Sequence, residues 1–367
     1  MSDQDYMQHA LALAQKGQYS TRPNPCVGCV IVRDQQVVGQ GWHQVAGGPH
    51  AEIMALQQAR DLAKQSTVYV TLEPCAHQGK TGPCVQALID AQVARVIVAM
   101  QDPNPQVNGQ GIARLRQAGI LVDVGLCQQQ AQQLNQGFCF AMQRQRPFVR
   151  LKQAMSIDGR IALANGHSKW ITSIASRLDV QQLRARSAAI ITGVATVIAD
   201  NSRLTVRTSE WSAECQPSID IPDPIRVVVD RQLRIPFDCQ LVQTAQSIPT
   251  WIFCRQSANP DSIQRLQDVG VQVVKLPGCA ELSSLLDYLY RHHCYDVMIE
   301  SGASLASQAL QQGLVNEWWL YIGHRVFGHD ALPVVRLPQV DNLADTLQPT
   351  LIDVRQFEQD IRLRYQF

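Results

Sequence analysis

His50, Cys75 and Cys84 are residues of the types, and in the order, that hold a catalytic metal ion. Zinc takes thiolate and imidazole ligands in tetrahedral geometry, and a catalytic site leaves one position to water. One neutral imidazole and two thiolates balance the dication and supply three ligands. The ion then acidifies the water in the fourth position into a nucleophile near neutral pH. Glu52 follows His50 by two residues, on the same helical turn. A carboxyl there can carry protons between the water, a ring nitrogen and a leaving amine.

Zinc deaminases combine H-x-E with P-C and a second cysteine. Pro74-Cys75 supplies the second part, but the spacing departs from the common C-x-x-C. Ala76-His77-Gln78-Gly79-Lys80-Thr81-Gly82-Pro83 lies between Cys75 and Cys84. Such an insert either breaks the site or forms a substrate loop while Cys84 still opens its helix. Both ligand segments fall where a strand ends and a helix begins, so backbone N–H groups there favour a thiolate at Cys75.

The elements that must position these residues are legible as apolar runs alternating with amphipathic helical patterns, which is α/β architecture. The spacing predicts an N-terminal helix through Met7, Leu11 and Ala14. It predicts a strand hairpin over 26–32 and 37–42, a helix over 51–60, a strand over 67–72 and a helix over 84–91. A strand over 95–100, a helix over 111–118, a strand over 120–124 and one helix over 128–142 follow. Gln143-Arg144-Gln145-Arg146-Pro147 then breaks the pattern, which divides the chain into domains 1–146 and 147–367. The second part repeats the theme, with strands starting at Phe148, Ala188, Ile225, Thr250, Val271, Val297 and Trp318. Helices are expected over 174–186, 262–268, 282–291 and 305–312.

Composition bounds the function. The 367 residues are 46% hydrophobic and 17% charged, with a formal net charge of +1. That excludes a disordered chain and argues against broad binding to nucleic acid or anionic membrane, which needs excess positive charge. The longest apolar runs fall far short of a membrane span. The N-terminus is acidic with spaced apolar residues, unlike a signal peptide, so a cytoplasmic protein is expected. Eleven cysteines, an odd number, then read as free thiols, a subset binding metal.

Several longer motifs share one resemblance. Asn24-Pro25-Cys26-Val27-Gly28-Cys29-Val30, His50-Ala51-Glu52, TLEPCAHQGKTGPC at 71–84 and QDPNPQVNGQG at 101–111 resemble the bifunctional riboflavin-biosynthesis deaminase–reductase family. So do Lys152-Gln153-Ala154-Met155-Ser156-Ile157-Asp158-Gly159-Arg160, Ser168-Lys169-Trp170-Ile171-Thr172, Thr196-Val197-Ile198-Ala199-Asp200 and Glu300-Ser301-Gly302-Ala303. That family spaces its cysteines as they stand here, so the insert is itself diagnostic. The resemblance implies a cytidine-deaminase-like α/β/α sandwich followed by a dihydrofolate-reductase-like α/β domain. The first would use zinc to remove the 2-amino group of a phosphorylated ribosylamino diaminopyrimidinone. The second would use NADPH to reduce the ribosyl group to ribityl. A homo-oligomer, dimer or tetramer, is also implied.

Residue by residue, the resemblance makes His50, Cys75 and Cys84 the zinc ligands and Glu52 the proton carrier. Asn24, His43, His77 and Lys80 would contact the deaminase substrate, and Lys80 suits its phosphate. Ala154, Trp170, Thr196, Asp200 and the segment Gly302, Ala303, Ser304, Leu305, Ala306, Ser307 and Gln308 would hold NADPH. Ser168, Arg184, Leu204, Arg207 and Glu300 would hold the reductase substrate. The chain independently offers a strand, a small-residue loop and a helix over 297–312, which lets backbone approach a phosphate. It offers no G-x-G-x-x-G after a strand. Asp200 and a bound water are both open as the acid of the reduction. Asn201-Ser202, Asn316 and the segment 323–328 depart from the family pattern, none of them at a transferred site residue.

Two other readings remain open. A nucleic-acid-editing deaminase shares the zinc chemistry but needs a basic, aromatic-rich surface, which 6% aromatic residues disfavour. Alternatively the second domain is a non-catalytic dimerisation or nucleotide-sensing module. Cys26-Val27-Gly28-Cys29 and His292-His293-Cys294 read as structural thiols and a helix end rather than metal sites. Trp318-Trp319 reads as strand packing or a subunit contact.

Overall fold

The computed structural model describes residues 1–76, 82–105, 107–211, 219–276 and 281–367. The chain divides into two compact units, the first built on Met1–Gln145 and the second on the residues from Arg146 onward, with 219–222 grouped with the first.

In the first unit the order is α1 (Asp3–Gln15), β1 (Gly28–Arg33), β2 (Gln36–Trp42), α2 (Ala51–Ala59), β3 (Thr67–Val70), α3 (Cys84–Asp90), β4 (Arg95–Val98), α4 (Gln110–Gln117), β5 (Leu121–Val124), α5 (Gln128–Leu134) and α6 (Gln136–Arg144). The five strands lie in the order β2-β1-β3-β4-β5. The hairpin pairs antiparallel, while β3, β4 and β5 run parallel. Period-two side chains split the core into two layers. Cys29, Ile31, Val68, Val70, Val96 and Val98 meet α2, α3 and α4. Val30, Val32, Tyr69 and Ile97 meet α1 and α5. This is an α/β/α sandwich.

The first layer is unusually thin where α2 crosses β2. A Cβ at Gly39 would lie 2.2 Å from the Ala55 carbonyl, and one at Gly41 2.6 Å from the Ala51 carbonyl. Ala51, Ala55 and Ala59 are the matching small residues, all buried. Backbone contact therefore sets the height of α2 and of His50 at its start. The single helix expected over 128–142 is two helices. The Asn135 side chain breaks it by turning inward: its Oδ1 accepts the Cys26 N–H at 2.7 Å and its Nδ2 donates to the Cys26 carbonyl at 2.9 Å.

The second unit runs β6 (Phe148–Ser156), β7 (Arg160–Ala162), α7 (Ile174–Arg186), β8 (Ala189–Gly193), α8 (Val194–Asp200), β9 (Ile225–Val229), α9 (Gln240–Gln243), β10 (Thr250–Arg255), α10 (Pro260–Asp268), β11 (Gln272–Leu276), α11 (Leu282–Arg291), β12 (Asp296–Glu300), α12 (Ala303–Gln311), β13 (Glu317–Gly323), β14 (Leu332–Pro333), β15 (Thr350–Phe357) and β16 (Asp360–Gln366). Nine strands form one sheet, β11-β10-β9-β8-β12-β6-β13-β16-β15. The first seven in that order are parallel, and β16 and β15 close the edge antiparallel. Helices α11 and α12 cover one face, and α7 to α10 the other. The closing hairpin was not expected: β15 is exposed along most of its length, and β16 buries Asp360 and Arg362 while Ile361 on its other face is exposed.

Gly28 tests the packing. A Cβ there would meet the Ala10 carbonyl at 2.0 Å. Gly28→Ala must push α1 off β1 and should cost about 1–3 kcal/mol of stability, read as a lower urea midpoint by far-ultraviolet circular dichroism.

Candidate active sites

His50 is the residue capping the start of α2, and Cys84 is the first residue of α3. Cys75 follows β3 across a short loop. The structure brings the three together, with one potential ligand atom of each within 4.8 Å of the others. His50 Nδ1 lies 3.2 Å from Cys84 Sγ and 3.5 Å from Cys75 Sγ. Tetrahedral zinc with these donors puts ligand atoms roughly 3.5–3.8 Å apart, so the donor set and its spacing fit zinc. Among the described residues no other such cluster occurs. His292 stacks on Tyr288 and His293 bonds the Tyr295 hydroxyl instead.

The electrostatics agree with a cation site. The hydrogen bond from the Cys84 thiol holds the Cys75 thiol down to about 4, with the Cys84 and His50 donors adding to it. That same bond, and burial, push Cys84 up. The Cys84 backbone N–H also donates to Cys75 Sγ at 3.4 Å, which is the expected help from a helix start. Glu52 is buried, and burial pushes its carboxyl up to about 7.

His43 and Asn24 stand beside the ligands. The His43 ring is edge-on to His50 with centroids 5.6 Å apart. Its Nδ1 faces the Pro49 carbonyl at 3.0 Å and so donates. Burial lowers its pKa, which keeps the ring neutral. Its Nε2 therefore accepts from Asn24 Nδ2 at 3.1 Å, leaving Asn24 Oδ1 for another partner. His77 and Lys80 lie outside the described residues.

The residue that sequence reasoning missed here is Glu73. It is 4% exposed, and its carboxylate accepts the N–H groups of Asp102, Gly109, Gly111 and Ile112 at 3.1, 2.9, 2.8 and 3.2 Å. It ties the Glu73–Cys75 segment to the loop before α4 and to the first turn of that helix. The available signal was its place in Thr71-Leu72-Glu73-Pro74-Cys75, read only as motif context.

The second unit holds a cavity of about 950 Å³. It opens at the C-terminal ends of the parallel strands, where the chain reverses its direction across the sheet by inserting β12 between β8 and β6. Ligands of open α/β sheets bind at such a switch point. Ala154, Ser168, Trp170, Arg184, Thr196, Asp200, Leu204, Arg207, Glu300 and five of the seven residues from Gly302 to Gln308 line it. Ala306 and Ser307 do not: Ala306 is in the core, and Ser307 Oγ accepts the Arg336 N–H at 2.6 Å.

The cavity fits a dinucleotide. Its volume is near the upper end of ligand pockets. The start of α12 has no side-chain cap, so its first amides are available to a phosphate. An added Cβ at Gly302 would meet nothing closer than 3.8 Å, so the protein itself leaves the space. The Gly302 N–H is held by Thr196 Oγ1 at 3.3 Å. Asp200 receives Ser168 Oγ at 3.4 Å, and the Arg177 guanidinium lies 4.4 Å over the exposed Trp170 ring.

The charged centre of the cavity is Glu300. Arg184 grips it bidentately, Nε to Oε2 at 2.9 Å and Nη2 to Oε1 at 2.8 Å. Lys152 Nζ lies 3.3 Å from Oε1. Burial alone would raise the Glu300 carboxyl, but the two cations hold it well below the usual range. Lys152 lines the cavity and was not singled out from sequence, although it opens a quoted motif.

A deaminase-type metal site and a dinucleotide-sized reductase cavity thus occupy separate units, which defines a two-site enzyme. Known proteins agree. Residues 1–100 match the cytidine and deoxycytidylate deaminase zinc-binding region, and 147–363 the RibD C-terminal domain. The riboflavin biosynthesis protein RibD of Escherichia coli K12 is 45% identical over 99% of both chains. Acinetobacter baumannii RibD superposes with a TM-score of 0.91 at 45% identity, covering 99% of this chain and 98% of that one. The Thermotoga maritima diaminohydroxyphosphoribosylaminopyrimidine deaminase/5-amino-6-(5-phosphoribosylamino)uracil reductase gives 0.85 at 29% identity over the same shares. The chain belongs to the RibD family of bifunctional deaminase–reductases of riboflavin biosynthesis, with a cytidine-deaminase domain, a dihydrofolate-reductase-like domain, and zinc and NADPH as cofactors.

Glu73→Gln keeps the size and one oxygen, so two of the four backbone amides then face an NH2 group that cannot accept. It should cost about 2–4 kcal/mol and lower zinc retained after dialysis, measured as metal per chain. Full zinc at unchanged stability would show that Glu73 does not position Cys75.

Proposed function

We propose that this chain performs two consecutive steps on one phosphorylated pyrimidine. Residues 1–146 deaminate 2,5-diamino-6-(5-phosphoribosylamino)pyrimidin-4(3H)-one, and 147–367 reduce the ribosyl group of the product to ribityl. The observation that carries this is the pair of sites: His50, Cys75 and Cys84 around buried Glu52, and Glu300 clamped by Arg184 and Lys152 in a dinucleotide-sized cavity.

In the first site His50, Cys75 and Cys84 hold zinc, which when bound supplies Lewis-acid activation of water. Glu52, with a pKa of about 7, both takes and gives a proton at neutral pH. It takes one proton from the attacking water and passes it to the ring nitrogen, then takes the second from the hydroxyl added to the ring carbon and gives it to the departing amine. Asn24 Oδ1 accepts from the pyrimidine, oriented by neutral His43. His77 and Lys80 contact the substrate, Lys80 at the phosphate.

In the second site Ala154, Trp170, Thr196, Asp200 and the Gly302–Gln308 segment hold NADPH, which supplies hydride. Ser168, Arg184, Leu204, Arg207 and Glu300 hold the substrate. Reduction of an opened-ring imine also consumes one proton, at the nitrogen. Lys152 is an ammonium group inside the cavity, held by Glu300 at 3.3 Å, and it is the donor. The substrate is a small molecule, and nucleic acid takes no part. The chain works in the cytoplasm as a homo-oligomer. No described helix is long and apolar enough to cross a membrane, and the β15 edge with exposed Leu351 and Val354 offers a surface for a second copy.

Glu52→Gln should retain zinc, lose deamination by about 100-fold or more, and still reduce substrate supplied already deaminated. Ammonia release near the wild-type rate would remove Glu52 from the mechanism. Lys152→Gln should lower kcat for reduction by about 100-fold with the dissociation constant for NADPH little changed. Loss of nicotinamide absorbance at an undiminished rate would assign the proton to another group.

A further inference from the structure

Helix α7 carries two polar faces with different partners. Arg177, Gln181 and Arg184 recur at i, i+4 and i+7 and line the cavity. Ser176 and Asp179 recur at i and i+3, ~130° away around the helix axis. The first face organises the substrate side. Arg184 grips Glu300 and also donates to the Thr205 carbonyl at 3.1 Å. Gln181 is buried, and its Oε1 accepts the Arg207 N–H at 3.1 Å. One helix thus holds Glu300 and both ends of the 205–207 segment.

The second face is held by the closing edge of the sheet. Asp360 and Arg362 lie two residues apart on β16 and so point to the same side. Asp360 is fully buried. Its Oδ2 accepts the Ser173 N–H at 2.6 Å and the Ser176 hydroxyl at 2.7 Å, which anchors the start of α7. Arg362 Nη1 donates to Asp179 Oδ2 at 2.7 Å, and the Tyr321 hydroxyl of β13 donates to the same oxygen at 2.6 Å. The guanidinium also spans to Asp353 of β15 at 2.6 Å.

Stability alone does not call for such a pair. Desolvating two buried charges costs about what their attraction returns, and neutral side chains of similar size often serve as well. What the fork of an arginine adds is fixed geometry. Anchored at Ser176 and again at Asp179, α7 can neither slide nor turn about its axis. A turn would carry Gln181 and Arg184 away from Glu300 and the 205–207 backbone.

We propose that Arg362, acting through Asp179, is a positioning residue of the reductase: with Asp360 it sets α7 so that Arg184 and Gln181 shape the substrate side of the cavity. This rests on the reading that Arg184, Leu204, Arg207 and Glu300 hold the reductase substrate.

The test is steady-state reduction of deaminated substrate by the full chain, with NADPH affinity, ammonia release and thermal melting measured beside it. Asp179→Asn/Arg362→Met leaves no unpaired charge in the interior and should melt close to the wild type. Its KM for the deaminated substrate should rise about 10-fold, with kcat, NADPH affinity and deamination little changed. Arg362→Lys keeps the cation but cannot span both carboxylates. It should raise the same KM about 3-fold, between wild type and the double variant, and it carries the test should the double variant fail to fold. An unchanged KM in either folded variant overturns the positioning role. So does an equal loss of NADPH affinity or of deamination, which would mark general damage. Failure of the parent reading looks different: wild-type protein would not consume NADPH with deaminated substrate.

Discussion

Parallel strand pairing is the constraint on which the rest depends. A parallel neighbour can be reached only by a crossover, here a helix, so strand C-termini and helix N-termini gather at one edge of the sheet. In the first unit that edge receives the Glu73–Cys75 segment after β3 and the starts of α2 and α3. In the second it receives Gly193, Arg231, Arg255 and Ser301 from four parallel neighbours. Both units therefore place chemistry where backbone N–H groups point outward. Both then spend small residues to let something approach: Gly39 and Gly41 admit a helix, and Gly302 leaves space for a ligand.

Charge is used differently in the two halves. The first site holds its carboxyl, Glu52, in a buried pocket with a pKa near neutrality, where it can exchange protons. The second surrounds its carboxylate with two cations and fixes it ionised. One is suited to moving a proton and the other to holding a substrate still. Buried arginines remote from either site serve structure alone. Arg150 is paired with Asp296 and Glu317 across three adjacent strands. Arg226 donates to the Leu241 and Ile248 carbonyls and to two threonine hydroxyls.

Much of this was legible in the sequence, for physical reasons. The helices at 174–186 and 282–291 stand as expected, because their apolar positions recur at helical spacing against a sheet. The metal cluster was legible because zinc chemistry permits few donor types. What was not legible turned on long-range partners. Asn135 splits a Gln-rich helix by bonding Cys26, which is 109 residues away in sequence. Glu73 looks like one more residue of a motif until the four amides that surround it are known. The β15–β16 hairpin escaped because β15, at the edge, is exposed on both sides, and β16 buries charged Asp360 and Arg362 rather than its apolar residues, through partners far away in sequence.

The seating of α2 on Gly39 and Gly41 has a thermodynamic consequence. His50 and Cys84 open helices that are packed into the core, and Cys75 leaves a segment pinned by Glu73. Folding itself has already removed the conformational entropy of the donors. Small zinc modules must order their chain when the ion arrives, so their binding and folding are one equilibrium. Here they are two, and the ion can exchange on a scaffold that stays assembled.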